Sequence, residues 1–480
     1  MQKNETCYYY TKVIDNGNKT HEVVDVCKIK NSMIEIVGLT DTFKIKNDLR
    51  SGISKIYFSK ATIQDNGKLN ITTDELLPAV ISTYGLQQSE ERSFPFTGKK
   101  IVLAIKIDAA DTKTTSSADR ISDKIFGTDN DEVNFQSQMF DCSFGKLNFE
   151  PFIGTTPNGI DISNGVGTLN VPFNLKNAYN WDIESKLLNM INEEFGDLKS
   201  NSQVKVDHLI LVLPKDSAKF IAYGYTHEWL TVYNDEEVTY PIVVMHEIGH
   251  NLGLEHSAKG DNEYGDEIGI MGYGNKLDNG RKCYNAVKSW QMGWYKEGHK
   301  IIDPYQEPFE GDIVGVANFD ERGDKNVILR IVGHVDKNDY YVAFNRRGGM
   351  NVDSTVGSNK VVITSGSSTN RTDLFSYQKA ILSKGESYIM PNFDGGELTL
   401  CVIINEIQKD TSPAFANISI VLKNHDEIDD MKENVEKNIK NKNKQTKQKK
   451  KKANKNKKSE ANKSNKKNKN KNMRKRKKDK

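Results

Sequence analysis

The chain has 480 residues, enough for two to four domains with substantial cores, and its 36% hydrophobic and 9% aromatic content suits a soluble protein carrying a polar segment. No apolar run approaches the length that spans a bilayer, which excludes a helical membrane protein, and five cysteines in so long a chain exclude a disulfide scaffold. The net charge of +3 conceals a split: residues 431–480 hold 24 Lys/Arg against four Asp/Glu, a net of +20, so residues 1–430 carry a net of −17.

Residues 1–97 read as short strands and turns, a β-rich N-terminal region and candidate prosegment. The opening MQKNETCYYYTKV lacks the apolar core of a signal peptide. That leaves a truncated start, another export route or an intracellular protein as the alternatives. CYYYTKVI and HEVVDVC, separated by Asp15-Asn16-Gly17-Asn18, predict a hairpin that brings Cys7 opposite Cys27, either as a disulfide or as two buried thiols. The pairing of Cys142, Cys283 and Cys401 is not legible. VVDVCKI, MIEIVGL and KIYFSKATI continue the β alternation up to the polar stretch QQSEERSFPFTG.

From residue 98 the pattern changes. KKIVLAIKI and VDHLILVLP are buried strands, and GKLNFEPFIG is a further strand. DRISDKIF and EVNFQSQMFDCS predict helices, as does WDIESKLLNMINEEF, whose apolar residues fall at 183, 187, 188, 191 and 195. Strands alternating with helices predict an α/β domain over 98–299 with a mostly parallel sheet. KFIAYGYTHEWLTVY is extended and β-rich. His227 there is read as a surface histidine without a ligand role.

The next segment carries chemistry. Residues 246–256 read HEIGHNLGLEH and hold three of the chain's nine histidines. Pro241 stands where a helix begins, and His246 and His250, spaced i, i+4, then share one face about a turn apart. Two imidazoles so placed can grip one metal ion, with Glu247 beside them as general base. A continued helix would carry His256 away from that face. Gly253 removes the conflict, since glycine adopts the left-handed conformation that ends a helix and turns the chain back. Three neutral imidazoles and a water complete a tetrahedral catalytic Zn2+ site. His-Glu-x-x-His alone arises by chance in helices; the added x-x-Gly-x-x-His is what makes the signal specific.

Beyond it, Asp261, Glu263, Asp266 and Glu267 form an acidic loop. It could hold Ca2+, but its spacing does not match an EF-hand, and a solvated loop is the plainer reading. AVKSWQMGWYK predicts a closing helix. From 300 to 423 helical periodicity stops, and NVILRIV, DYYVAFNR, KVVITS, ESYIM, LTLCVIINEI and NISIVL predict a β-sandwich-like domain. Residues 424–480 are Lys/Asn/Gln-rich without apolar anchors and are expected to be a disordered basic tail. Dense lysine over 431–480 suits a polyanion, either acidic polysaccharide or nucleic acid, or an inert solvated extension.

Residues 268–274, IGIMGYG, place Met271 between glycines after the zinc motif. This resembles the metzincins, whose Met-turn forms an apolar floor under the zinc ligands. By the same resemblance Tyr273 occupies the place of a zinc-proximal tyrosine that steadies the transition state, although an exposed turn tyrosine is equally natural. CSFGKLNFEP (142–151), HEIGHNLGLEHS (246–257), YGDEIGIMGYG (264–274) and CYNAVKSWQMGWY (283–295), in that order, resemble the gametolysin family of zinc metzincins. The resemblance covers about residues 98–300. It implies a metzincin-type catalytic domain between flanking β regions, secretion, an N-terminal prosegment, and extracellular-matrix or cell-wall glycoproteins as substrates. The residues carry no clear cysteine-switch motif in 1–97. The reading is a zinc endopeptidase; its rival is a matrix-binding or adhesive protein with vestigial protease activity, against which an intact Glu247 argues.

Overall fold

The computed structural model describes residues 5–17, 20–29, 32–40, 43–44, 48–58, 62–64, 68–70, 96–201, 203–272, 280–369, 371–424 and 427. Tyr273 and the tail over 431–480 lie outside these residues. The chain forms two compact units, Met1–Tyr388 with Val402–Val421, and Ile389–Cys401 with Leu422–Lys480. The sheets and the centre that follow belong to the first.

The N-terminal region supplies β1 (Glu5–Gly17), β2 (Thr20–Ile29), β3 (Ser32–Val37) and β4 (Lys55–Phe58). The expected hairpin is present and Cys7 and Cys27 are disulfide-bonded. Its register nevertheless pairs Cys27 with Tyr9, so Cys7 is two residues from the expected position. The cause is that the chain turns beyond Gly17, which itself pairs with Thr20; an irregularity between Asp15 and Gly17 brings the register back by only one residue.

The central sheet adds β5 (Gly98–Asp108), β6 (Leu147–Pro151), β7 (Val166–Asn170), β8 (His208–Leu213), β9 (Ala222–Tyr225) and β10 (Leu230–Asn234). Its order is β7-β5-β8-β10-β9-β1-β2-β3, with β6 also on β5 and β4 on β1. β5 is parallel to β6, β7 and β8, and β8 to β10; β9 and β1 are antiparallel additions. Parallel strands here are buried on both faces, which is why they read as unbroken apolar runs.

Period-2 alternation divides those runs between two cores. Val102, Ala104, Ile210 and Val212 face one core, and Leu103, Ile105, Leu209 and Leu211 face the other. The first core is closed by α1 (Ala118–Phe126), α2 (Phe135–Cys142) and α4 (Pro241–Asn251); the second by α3 (Trp181–Phe195). Each of the first three helices starts at a side-chain cap. Ser117 accepts from Arg120 N at 3.1 Å, Asn134 and Ser137 form a reciprocal box, and Asn180 accepts from Ile183 N at 3.0 Å. α5 (Ala286–Met292) starts at Asn285 and stops at left-handed Gly293.

Strands dominate the remainder. One sheet runs in the order Ser257–Ala258, Ser376–Leu382, Lys360–Ser367, Asn338–Asn345, Ile328–Ile331, His299–Ile302, so strands on both sides of residue 299 share it. Phe309–Val314 pairs antiparallel from Phe309↔Ile420 to Val314↔Phe415. With mixed sheets and few helices, the class is α+β and β-rich.

Candidate metal centre

α4 contains Val243, Val244 and Ile242, poor intrinsic helix formers, and Tyr240 provides no side-chain cap. Tertiary burial therefore holds it: every residue from Pro241 to Asn251 is buried. Gly224 of β9 lets the strand approach, since a Cβ there would lie 2.7 Å from Glu247 O. On another side, a Cβ at Gly249 would lie 2.6 Å from Met271 Sδ, so the fully buried Met271 packs directly against the helix.

The helix ends by bonds from Gly253 N to His250 O at 2.7 Å and from Leu254 N to Gly249 O at 2.9 Å, with Gly253 at φ +89°. His227 fills the space beside that glycine: a Cβ at Gly253 would stand 1.8 Å from His227 Nε2. The surface placement expected for His227 is thus overturned. The residue lies in the β9–β10 turn, half-buried with its Nε2 atom enclosed, and meets Ser51 O through Nδ1 at 2.9 Å. Burial pulls its pKa below the ordinary histidine value.

The turn after Gly253 returns His256 to the other two rings. Centroid separations are 5.0 Å for His246–His250, 4.9 Å for His250–His256 and 5.3 Å for His246–His256. Ligand-capable atoms of the three lie within 4.8 Å of one another. His246 Nδ1 is 2.9 Å from Ile270 O, and His250 Nδ1 is 2.9 Å from Leu254 O. A carbonyl only accepts, so each Nδ1 carries the proton and each Nε2 presents a lone pair. Both Nε2 atoms and both nitrogens of His256 are buried without hydrogen-bond partners. Burial also holds all three rings below the ordinary histidine pKa, His250 and His256 strongly so. Neutral imidazoles with converging, unsatisfied lone pairs fit a metal ion, because such groups are otherwise costly to bury.

Glu247 is 1% exposed and neither carboxylate oxygen has a partner. Burial raises its pKa well above the carboxylate range, and the charge of Asp15 adds to this. Tyr264 packs its ring 4.3 Å from His256 and 5.8 Å from His246, with a buried hydroxyl that has no partner. Sequence reasoning missed it, because nothing in the spacing of YGDE signals a ring packed on a histidine eight residues earlier. His21 was missed for the same reason. It lies 4.9 Å from His256, pairs with Glu263, and with those two forms a second group able to hold a metal.

The acidic loop is solvated in part, with Asp261 exposed and Glu263 and Glu267 partly exposed, but Asp266 does not share that setting. Asp266 is fully buried and receives Asn285 Nδ2 at 2.7 Å, Ile268 N at 3.1 Å and Gln378 Nε2 at 3.3 Å. Those bonds saturate Asp266 as a structural node. The wall beyond the loop is tied by a Cys142–Cys283 disulfide across 141 residues, closing a loop of a size whose constraint on the unfolded chain is worth ~5 kcal/mol. Next to it, Tyr284 donates to Met245 O at 2.8 Å, fixing the residue before His246.

The resemblance drawn from the motifs is borne out by comparison with known proteins. The model of a peptidase family, described as Gametolysin peptidase M11, matches residues 99–304, which include α4, His256 and Met271. A 68-residue stretch is 44% identical to Autolysin of Chlamydomonas reinhardtii, covering 14% of this chain and 10% of that protein. The match thus spans about a tenth of the relative's length. No solved structure matches. Among the described residues no helix is long and apolar enough to cross a membrane.

Proposed function

We propose that this chain is a zinc-dependent endopeptidase of metzincin type, with His246, His250 and His256 as metal ligands. The observation that carries this reading is the set of converging imidazole nitrogens without partners beside an equally unpartnered Glu247 carboxylate. A bound zinc ion would supply Lewis acidity, lowering the pKa of a water and polarising a scissile carbonyl. Glu247 takes the proton of the attacking water and delivers it to the leaving amine nitrogen. Its burial suits the task, because a desolvated carboxylate is a stronger base. The Tyr264 hydroxyl, free of other bonds and packed on His256, is placed to donate to the developing oxyanion; Tyr273 keeps the claim that resemblance gives it. Met271 and Gly253 serve by shape, one as the floor against Gly249 and the other as the turn that returns His256.

By the same resemblance the substrates are extracellular-matrix or cell-wall glycoproteins, and two disulfides suit an oxidising, extracellular setting. Purified full-length chain is expected to bind one zinc and to digest a generic protein substrate, with activity lost to a chelator and restored by zinc. Digestion that continues in chelator would overturn the reading.

A polyanion contact is proposed for residues 431–480 from charge alone. Deleting them should leave peptide hydrolysis unchanged and abolish salt-sensitive retention on a heparin matrix. Equal retention of both proteins would sink it.

A further inference from the structure

On the face of the sheet opposite α4, the side chain of Lys12 enters a closed pocket. Its Nζ lies 3.2 Å from Glu184 Oε2, 4.0 Å from the Trp181 ring centroid and 3.7 Å from that of Tyr223. Lys12 is 4% exposed and Glu184 1%. The Tyr225 hydroxyl donates to Glu184 Oε1 at 2.6 Å, and the Tyr223 hydroxyl donates to Oε2. A carboxylate floor with aromatic walls recognises an ammonium group by charge and by the ring faces together. Glu184 occupies the buried side of α3, among Leu187, Ile191 and Phe195. The two tyrosine hydroxyls hydrogen-bond this carboxylate, but only a cation offsets its charge in a helical face otherwise built for apolar packing.

The cation comes from a strand that lies as a bound peptide would. β1 runs antiparallel on β9, in the register Lys12↔Tyr225, Val13↔Gly224, Ile14↔Tyr223, Asp15↔Ala222. β9 is the strand whose Gly224 admits α4 and the metal-centre histidines. Peptides added to a sheet edge gain affinity from main-chain bonds and specificity from pockets for alternate side chains. Alternation sends Lys12 toward the Tyr223/Tyr225 face, and Val13 and Asp15 toward α4. The returning strand β2 sets His21 against His256, with ring centroids 4.9 Å apart. One hairpin thus spans the cationic pocket and the metal centre.

We propose that Glu184, Trp181, Tyr223 and Tyr225 form a lysine-selective subsite beside β9, filled in cis by Lys12. The inference rests on the peptidase reading and assigns it a substrate class: extended segments carrying a lysine that pairs opposite Tyr225. β1 is then a self-ligand that must leave before such a segment binds.

The test uses full-length protein with Lys12→Met, which keeps the length of the side chain and removes the ammonium. Two fluorescent peptides are compared by anisotropy, the sequence of residues 9–16 and its twin with norleucine in place of the lysine. The folded variant, checked by circular dichroism, should bind the lysine peptide at least about ten-fold more tightly than its twin, and adding Glu184→Gln should remove that preference. Equal binding of the two peptides, or binding of neither, overturns the subsite. If Lys12→Met does not fold, the wild-type chain decides: excess lysine peptide should accelerate amide exchange of residues 11–15 and the twin should not. Absence of that difference overturns the proposal equally. Neither readout needs hydrolysis. Lysine preference in a protein that cleaves nothing would sink the peptidase reading alone, whereas cleavage without lysine preference would sink the subsite alone.

Discussion

Glu247→Gln is expected to keep one zinc per chain and to lower the rate of peptide hydrolysis by about 10²–10⁴, the usual contribution of a positioned general base. Glutamine fills the same volume, so the packing of α4 against β9 and Met271 is preserved. It cannot accept the proton of the attacking water. Stability should move the other way, because burial is what holds the Glu247 pKa well above the carboxylate range and both its oxygens lack partners. Replacing a desolvated carboxyl by an amide of the same shape should leave the melting temperature unchanged or raised. Zinc content, steady-state rate and melting temperature measured on one preparation separate the roles. A variant that loses zinc or unfolds would make Glu247 a structural residue. One that retains activity within a few-fold would remove it from the chemistry. The comparison also addresses the adhesive rival: a biological effect that survives the loss of cleavage belongs to binding.

Gly253→Val is expected to lower zinc affinity by more than ten-fold without touching a ligand, for two independent reasons. The glycine stands at φ +89°, which a β-branched residue resists at a cost of ~1–2 kcal/mol or more. In addition, any Cβ there would stand 1.8 Å from His227 Nε2, an overlap that no small adjustment relieves. Either the turn straightens and His256 misses the other rings, or His227 leaves its place beside Ser51. The two causes separate in a double substitution. Gly253→Ala alone should weaken zinc binding, and His227→Ala added to it should recover part of the loss, because the collision is removed while the backbone strain stays. Isothermal titration with zinc gives the comparison. No recovery in the double variant would mean that strain accounts for all of the effect, and wild-type affinity in Gly253→Val would show that the turn does not position His256.

Much of this was legible along the chain because the physics involved is short-ranged. The i, i+4 spacing of His246 and His250 and the helix stop at Gly253 depend on residues within two turns of one another. The same holds for the helices capped by Ser117, Asn134 and Asn180, and for the hairpin between Cys7 and Cys27. Alternation likewise divided Val102 from Leu103 and Ile210 from Leu211 between two cores. What the spacing could not show is which distant side chains meet. WDIESKLLNMINEEF reads as an amphipathic helix, and nothing in its spacing names a partner for Glu184. Only the docking of β1 on β9 buries that carboxylate and supplies Lys12 from 172 residues away. His21 reaches His256, Tyr264 covers the same ring, and His227 occupies the space that Gly253 leaves, all through the packing of the turns and strands around α4. A histidine in a strand sequence carries no mark of which face or neighbour awaits it. Local sequence determines backbone conformation through sterics and capping, whereas burial and charge pairing at this centre are decided only when strands far apart in the chain are brought into one sheet.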